Sequence, residues 1–115
     1  MAEKTKHDLI ARIALVPRTL EARGLDASPP IKAKLVEAGD YRAGEILDVI
    51  LRDEIGHVAV GNRWYRVLCD EAGLDPVETY AEIASKYGAP RLRGPFNFEA
   101  RRAAGFSDAE LDHLR

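Results

Sequence analysis

The longest stretch of this sequence that can form one unbroken helix runs from Tyr41 to Ala72, between the capping residue Asp40 and the helix stop Gly73. At 1.5 Å per residue such a helix is about 45–50 Å long, well beyond the average for a globular domain. A long amphipathic helix gains most of its stability by packing against other helices. Strand patterns are weak elsewhere, so the sequence predicts an all-α fold of packed helices.

One face of this helix is apolar except for two neighbouring polar side chains, Glu54 and His57. Burial of an ionised carboxylate without a partner costs a great deal of free energy. The pair therefore requires a cation, a hydrogen-bond network, water or a metal ion. The residues that share this face recur at helical spacing: Leu47, Ile50, Leu51, Glu54, His57, Val58, Gly61, Trp64, Tyr65 and Leu68.

The first helix is predicted over residues 5–22. Thr5 is a suitable N-cap and Gly24 a suitable C-cap. Pro17 lies inside this helix and should kink it, because proline removes a backbone hydrogen bond and clashes with the preceding turn. Glu21 projects from an apolar line on the same helix, and it is the second unexpected carboxylate of the sequence.

If these two helices pack antiparallel, Glu21 approaches Glu54 and His57. A Glu on one helix and a Glu-x-x-His on another make up half of the ligand set of a carboxylate-bridged di-iron site. Carboxylates are hard ligands that can bridge two ions, and imidazole suits iron and other first-row metals. A metal site at this point is therefore one of two open interpretations of these residues.

The alternative interpretation needs no metal. Glu54 and His57 could be exposed, or they could pair with Arg52, Arg63 or Arg18. The corresponding alternative function is a non-catalytic helical interaction or assembly module in which Glu21, Glu54 and His57 form a buried polar network.

The remaining helices follow from capping residues and stops. We predict a loop at "LDASPP", a short helix over 30–38 closed by Gly39, and a helix from Pro76 that is capped by Asp75 and ends before Gly88. Two short helices, "NFEARRAAG" and "FSDAELDHLR", follow a linker. We therefore divide the chain into a half-bundle, 1–88, and a helical C-terminal extension, 89–115.

Composition narrows the class of protein further. The net charge is -2 over 115 residues, which gives no general indication of nucleic-acid binding. No apolar run is long enough to span a bilayer. Cys69 is the only cysteine, which excludes an internal disulfide and a multi-cysteine zinc site. We expect a cytoplasmic protein.

Gly56 and Gly61 are unfavourable inside a helix, and they could allow another backbone to come close.

Two groups of side chains have open interpretations. Trp64 and Tyr65 could line a substrate pocket, although their spacing with Leu68 favours ordinary core packing. The C-terminal extension interleaves arginines with phenylalanines, which could bind RNA or another anionic ligand. Alternatively the aromatic rings hold the extension on the bundle while the arginines pair with acidic helix faces. The tail residues are Arg91, Arg93, Phe96, Phe98, Arg101, Arg102 and Phe106.

Three segments of the sequence resemble the DUF455 family of ferritin-like proteins: "HDLIARIALVPRTLEARGLD", "ILDVILRDEIGHVAVGNRWY" and "YGAPRLRGPFNFEARRAAGFSDAEL". The resemblance implies a ferritin-like bundle in which Glu21 is the glutamate of the third helix, and Glu54 and His57 are the Glu-x-x-His of the fourth. It also implies two iron ions per site, or manganese, and an oxidation or hydroxylation that uses dioxygen.

The sequence departs from that family in its length. Family members are usually about twice as long, and their first helix pair carries the other ligands. This chain is therefore expected to be a fragment, or a half-bundle that pairs with a second copy. In either case a second helix pair is the expected partner. The alternative to a metalloprotein is a non-catalytic interaction module, or an inactive fragment.

Overall fold

The computed structural model describes residues 8–89 and 92–114, and within them all regular structure is helical. The predicted all-α class is therefore confirmed. No helix in this described part is long and apolar enough to cross a membrane. The elements in chain order are α1 (Leu9–Leu15), a π-helical segment (Val16–Glu21), α2 (Arg23–Glu37), α3 (Tyr41–Glu71), α4 (Pro76–Lys86), α5 (Phe98–Ala103) and α6 (Asp108–Asp112).

The helix boundaries from α3 onward agree with the capping residues. The side chain of Asp40 accepts a hydrogen bond from the backbone N–H of the third residue of α3, at 3.1 Å. Asp75 caps α4 in the same way at 2.9 Å, and Ser107 forms a reciprocal capping box with Glu110. Each cap satisfies an N–H group that the helix itself leaves without a partner.

The first helix begins later and continues further than predicted. Asp8 is the N-cap of α1, and the predicted cap Thr5 lies outside the described residues. The irregularity predicted at Pro17 takes the form of the π-helical segment, in which the helix widens and goes on. Gly24 does not end the helix, because the backbone passes into α2 and Gly24 lies inside it.

The predicted loop at "LDASPP" is wrong, because α2 runs through Pro29 and Pro30. A proline inside a helix leaves the carbonyl four residues earlier without its usual donor. For Pro29 that carbonyl belongs to Leu25, and the side-chain Nδ2 of Asn97 donates to it at 3.1 Å across 72 residues of sequence. A tertiary contact therefore replaces one of the two helical hydrogen bonds that Pro29 and Pro30 remove, and the helix continues through both residues.

Two buried clusters lie on the inner face of α3. The first joins α3 to α1 and α4, and its members are Ala11, Ala14, Leu15, Tyr65, Cys69 and Ile83. The second joins α3 to α2 and α5, and its members are Ala22, Leu25, Val58, Ala100 and Ala104. Since α5 contributes to the second cluster, the C-terminal segment packs directly on the long helices.

The apolar face predicted for α3 is in fact divided between two sides of the helix. Tyr65 lies in the core as expected, whereas Trp64 is 56% exposed, so the core prediction for Trp64 is wrong. The exposed side of α3 carries a line of large apolar side chains at helical spacing, here called the outer stripe: Ile46, Val49, Ile50, Val60, Trp64 and Val67.

Candidate functional site

Glu54 and His57 lie together in the middle of α3, next to the outer stripe. The Nδ1 atom of His57 is 3.7 Å from an Oε atom of Glu54. This distance is too long for a hydrogen bond, so neither side chain fixes the orientation of the other. The Glu54 side chain is 26% exposed and that of His57 is 70% exposed. His57 therefore faces outward, while Glu54 stands at the edge of the packed face.

Gly24 is the point where Glu54 meets the preceding helix. A Cβ built on Gly24 would lie 3.8 Å from Cγ of Glu54, which is ordinary van der Waals contact. Glu21 lies three residues before Gly24, or about one helical turn. It is exposed, and it is the last residue of the π-helical segment. The first helices and α3 therefore pack antiparallel, as predicted, and the approach of Glu21 to Glu54 stays a prediction.

These three side chains do not form a closed metal site by themselves. Among residues 8–89 and 92–114 there is no group of three or more His, Cys, Asp or Glu side chains arranged to hold a metal ion. The donor types nevertheless suit a first-row metal, since they combine carboxylate oxygens with an imidazole nitrogen. The assignment of Glu21, Glu54 and His57 as ligands stays a prediction.

Arg18, one of the partners considered for Glu54, is engaged elsewhere. It lies in the π-helical segment and is only 3% exposed. Its Nε donates to Oδ1 of Asn62, and its Nη2 forms an ion pair with Glu110. The guanidinium carbon lies 4.3 Å from the ring centre of Tyr65, a cation–π contact. Burial lowers the pKa of Arg18 to about 10, so it is still a cation at neutral pH.

The partners of Arg18 are themselves fixed. Nδ2 of Asn62 donates to the carbonyl of Ala104 at 2.7 Å, and Nη2 of Arg66 donates to Glu110 at 3.1 Å. Glu110 therefore accepts from two guanidinium groups. Together these contacts connect the π-helical segment, α3 and α6. We call Arg18, Asn62, Arg66 and Glu110 the arginine network.

From the sequence, Arg18 was expected only as a partner for Glu54, and Asn62 was not expected to have a role. The sequence nevertheless contains a pattern that indicates a buried position for both residues. Arg18 continues the apolar spacing of the first helix, and Asn62 continues that of the packed face of α3. Polar residues on such lines are candidates for buried hydrogen-bonded pairs.

The basic residues of the C-terminal extension divide into buried and exposed groups. Arg101 is 2% exposed and binds Asp26 through two hydrogen bonds of 3.0 and 2.6 Å. Its guanidinium also lies over the rings of Phe96 and Phe106. The contacts of Arg101 therefore support the second interpretation of the extension, in which aromatic rings and ion pairs hold it on the bundle. Arg91 lies outside the described residues, and RNA binding stays a prediction.

Comparisons with known proteins relate the chain to a family and to a longer relative. The model of a family described as "Protein of unknown function (DUF455)" matches residues 1–112. A protein of Haemophilus influenzae, described as "Uncharacterized protein", is 50% identical over 114 residues, which are 99% of this chain and 40% of that protein. The chain therefore spans about two fifths of the length of this relative. No solved structure matches the chain.

Proposed function

The chain belongs to the DUF455 family, and from that premise we propose that it supplies Glu21, Glu54 and His57 to a ferritin-like metal site. In this proposal the first helices and α3 form one half of a four-helix bundle. A second helix pair contributes the remaining ligands. The cofactor is a pair of iron ions, with manganese as an alternative.

The observation that carries the proposal is the position of the three side chains relative to the outer stripe. His57 and the neighbouring Asp53 interrupt the outer stripe between Ile50 and Val60, while Glu54 lies at the edge of the packed face in contact with Gly24. Exposed apolar surface on both sides of this polar break is typical of an interaction site. A helix pair that covers the stripe would enclose the polar groups and exclude water from them.

Each side chain has a separate chemical task in this arrangement. Glu21 and Glu54 would hold the ions through carboxylate oxygens and would offset part of their charge. His57 ligates through a neutral ring nitrogen, so metal binding requires it to be unprotonated. The chemistry that the bound ions supply is the activation of dioxygen for an oxidation or hydroxylation. A reducing cytoplasmic compartment fits this proposal, since Cys69 is a free thiol.

The partner in this proposal is a second helix pair. One source is a second copy of the chain, arranged about a two-fold axis. Another is an additional segment of the kind that occupies the rest of the Haemophilus influenzae relative, of which this chain matches 40%. The two sources differ in whether the chain binds metal as a homodimer.

The test is an anaerobic Fe(II) titration with the molecular mass measured by light scattering and the metal content by elemental analysis. We expect about two irons per assembled four-helix site. The variant Glu54→Gln should lose this binding. Glu45→Gln should retain it, because Glu45 is an exposed residue on the same helix. Equal binding by both variants and the unmodified chain would contradict the proposal.

A second candidate is a non-catalytic assembly module. The outer stripe favours it independently, because an apolar surface on α3 is sufficient for helix–helix association without a metal. The two functions differ in their response to iron. Binding to the folded state raises its stability, so Fe(II) should raise Tm for a metal site and leave it unchanged for an assembly module.

A further inference from the structure

The exposed side of α3 follows a regular repeat along most of the helix. Starting at Ile46, alternating steps of three and four residues lead through Val49 and Asp53 to Asp70, and every position reached by these steps is exposed. We call these positions the exposed seam. Two α-helices that pack in a coiled coil contact each other through positions with this spacing. The seam extends for about 36 Å along α3, which is long enough for a helix–helix interface.

The seam carries one negative and one positive charge at mirror-image positions. Asp53 lies five residues before Val58, and Arg63 lies five residues after it. Both are exposed, and neither side chain forms an ion pair or a hydrogen bond with another residue of 8–89 or 92–114. The apolar residues Val49 and Val67 also lie at equal distances on either side of Val58. The seam is therefore complementary to a reversed copy of itself.

We propose that α3 pairs antiparallel with α3 of a second copy of this chain, about a two-fold axis beside Val58. The proposal rests on one element of the proposed function, the covering of the outer stripe by a second helix pair, and it needs no metal ion. A two-fold axis makes each contact occur twice, once from each copy. The layers of the interface then pair Val49 with Val67, Asp53 with Arg63, and Gly56 with Val60, each across the two copies.

The two charges select this arrangement over its alternatives. A parallel pair in register would place Asp53 against Asp53 and Arg63 against Arg63. An antiparallel pair shifted by one heptad would place Asp53 against Asp70 in one direction, and Arg63 against Ile46 in the other. The register centred on Val58 gives both charges an opposite partner. Polar residues within a coiled-coil seam set register and orientation in this way.

The residues beside the seam agree with the same register. Ile50 and Trp64 lie on one flank of the seam and are 50% and 56% exposed. In an antiparallel pair the residues of this flank meet each other, so Ile50 of one copy lies against Trp64 of the other. A tryptophan ring covered by an aliphatic side chain removes a large apolar area from water. A second α3 thus covers the outer stripe as well as pairing the charges.

The experiment measures dimerisation of the metal-free chain by light scattering and sedimentation over a range of protein concentrations. Asp53→Lys places a positive charge against Arg63 of the other copy, and Arg63→Glu places a negative charge against Asp53. Glu82→Lys is the control for the change in net charge, because Glu82 is exposed on a different helix, α4. Circular dichroism checks that each variant keeps its helical structure.

We expect the unmodified chain and Glu82→Lys to form dimers with the same Kd. Asp53→Lys and Arg63→Glu should each weaken the homodimer by at least about 100-fold, because each brings two pairs of like charges together. An equimolar mixture of the two variants should dimerise again. In that heterodimer the two introduced charges face each other, and so do the two original ones. Such recovery distinguishes lost pairing from lost folding.

Cysteine cross-linking tests the register separately. In the proposed dimer Val49 of one copy faces Val67 of the other, whereas two copies of either residue lie about 27 Å apart along the helices. A mixture of Val49→Cys and Val67→Cys should therefore form a disulfide under mild oxidation, and neither variant alone should do so. Cys69 is buried and is the same in every sample.

A monomeric unmodified chain would overturn the inference, and so would a dimer or larger assembly that is unaffected by the charge reversals. Cross-linking of Val49→Cys or Val67→Cys alone would overturn it as well. These results would indicate that another segment, such as the rest of the longer Haemophilus influenzae relative, covers the outer stripe. The iron titration is a separate measurement. A dimer with this register that binds no Fe(II) would contradict the proposed metal site and leave the inference intact.

Discussion

Two glycines of α3 allow a matched test of how closely the helices approach each other. A Cβ on Gly61 would lie 2.5 and 2.7 Å from two ring carbons of Pro17. A Cβ on Gly56 would meet no atom within 4 Å. The same substitution by alanine should therefore have opposite effects on the stability of the protein at the two positions.

The change in the free energy of unfolding at each position is the sum of two opposing effects, the helix propensity of alanine and the cost of overpacking. Alanine is favoured over glycine inside a helix by about 1 kcal/mol, and Gly56→Ala should gain this amount. Overpacking costs about 1–3 kcal/mol, and the upper end applies at Gly61 because the proline ring and the helix backbone are both rigid. The net result for Gly61→Ala is a loss of about 1–2 kcal/mol. The two variants should then differ by about 2–3 kcal/mol in their free energy of unfolding.

The assay is urea denaturation followed by circular dichroism, with the free energy of unfolding extrapolated to water for each variant. Thermal denaturation gives an independent comparison, with roughly 4 °C in Tm expected per kcal/mol. If Gly61→Ala proved as stable as Gly56→Ala, the close contact between Pro17 and α3 would be wrong.

Four further results are expected. Asp26→Asn should destabilise the protein by about 3 kcal/mol or more in urea denaturation, because it leaves Arg101 buried without a carboxylate. Asp48→Asn should cost less than about 1 kcal/mol, since its ion pair is exposed. Burial raises the pKa of Tyr65, so the unfolded state releases this proton first. Stability should thus be unaffected by Tyr65 below about pH 10, the ordinary tyrosine pKa, and should fall above it; a denaturation series across this range measures the effect, and a flat profile would contradict it. Burial also raises the pKa of Cys69, so a thiol reagent should modify it in urea but only slowly in the folded protein.

Local signals in the sequence were sufficient for the helices whose ends depend on neighbouring residues. Asp40, Asp75 and Ser107 each satisfy N–H groups within three residues, and that information lies entirely in the local sequence. The sequence could therefore predict α3, α4 and α6. The close approach predicted at Gly61 is confirmed, since Pro17 packs against it, whereas the same prediction for Gly56 is wrong, because no atom lies within 4 Å of a Cβ built there.

Predictions failed where a distant residue decides the local structure. Pro29 and Pro30 normally indicate a loop, yet Asn97 supplies the donor that lets the helix continue. Glycine often ends a helix, but Gly24 lies inside α2, at the point where the Glu54 side chain contacts it. Neither partner is close in sequence, so no local pattern contains the information.

For the candidate site, helical spacing predicted that Glu54 and His57 lie together on α3, and their side chains are 3.7 Å apart. The approach of Glu21 to this pair stays a prediction. Helical spacing could not distinguish the packed side of α3 from the outer stripe, because both sides are apolar. The side that stays exposed depends on which helices the rest of the chain provides.

The dependence of α2 on Asn97 and Arg101 sets an order of events during synthesis. These residues contact Leu25 and Asp26 across 72 and 75 residues of sequence. At about 5–20 residues per second, they leave the ribosome roughly 4–15 s after the helix that they support. In that interval the carbonyl of Leu25 has no protein donor and depends on water for its hydrogen bond. The N-terminal part of the nascent chain should therefore stay open to chaperones and proteases, and it should close only when the C-terminal segment docks on it.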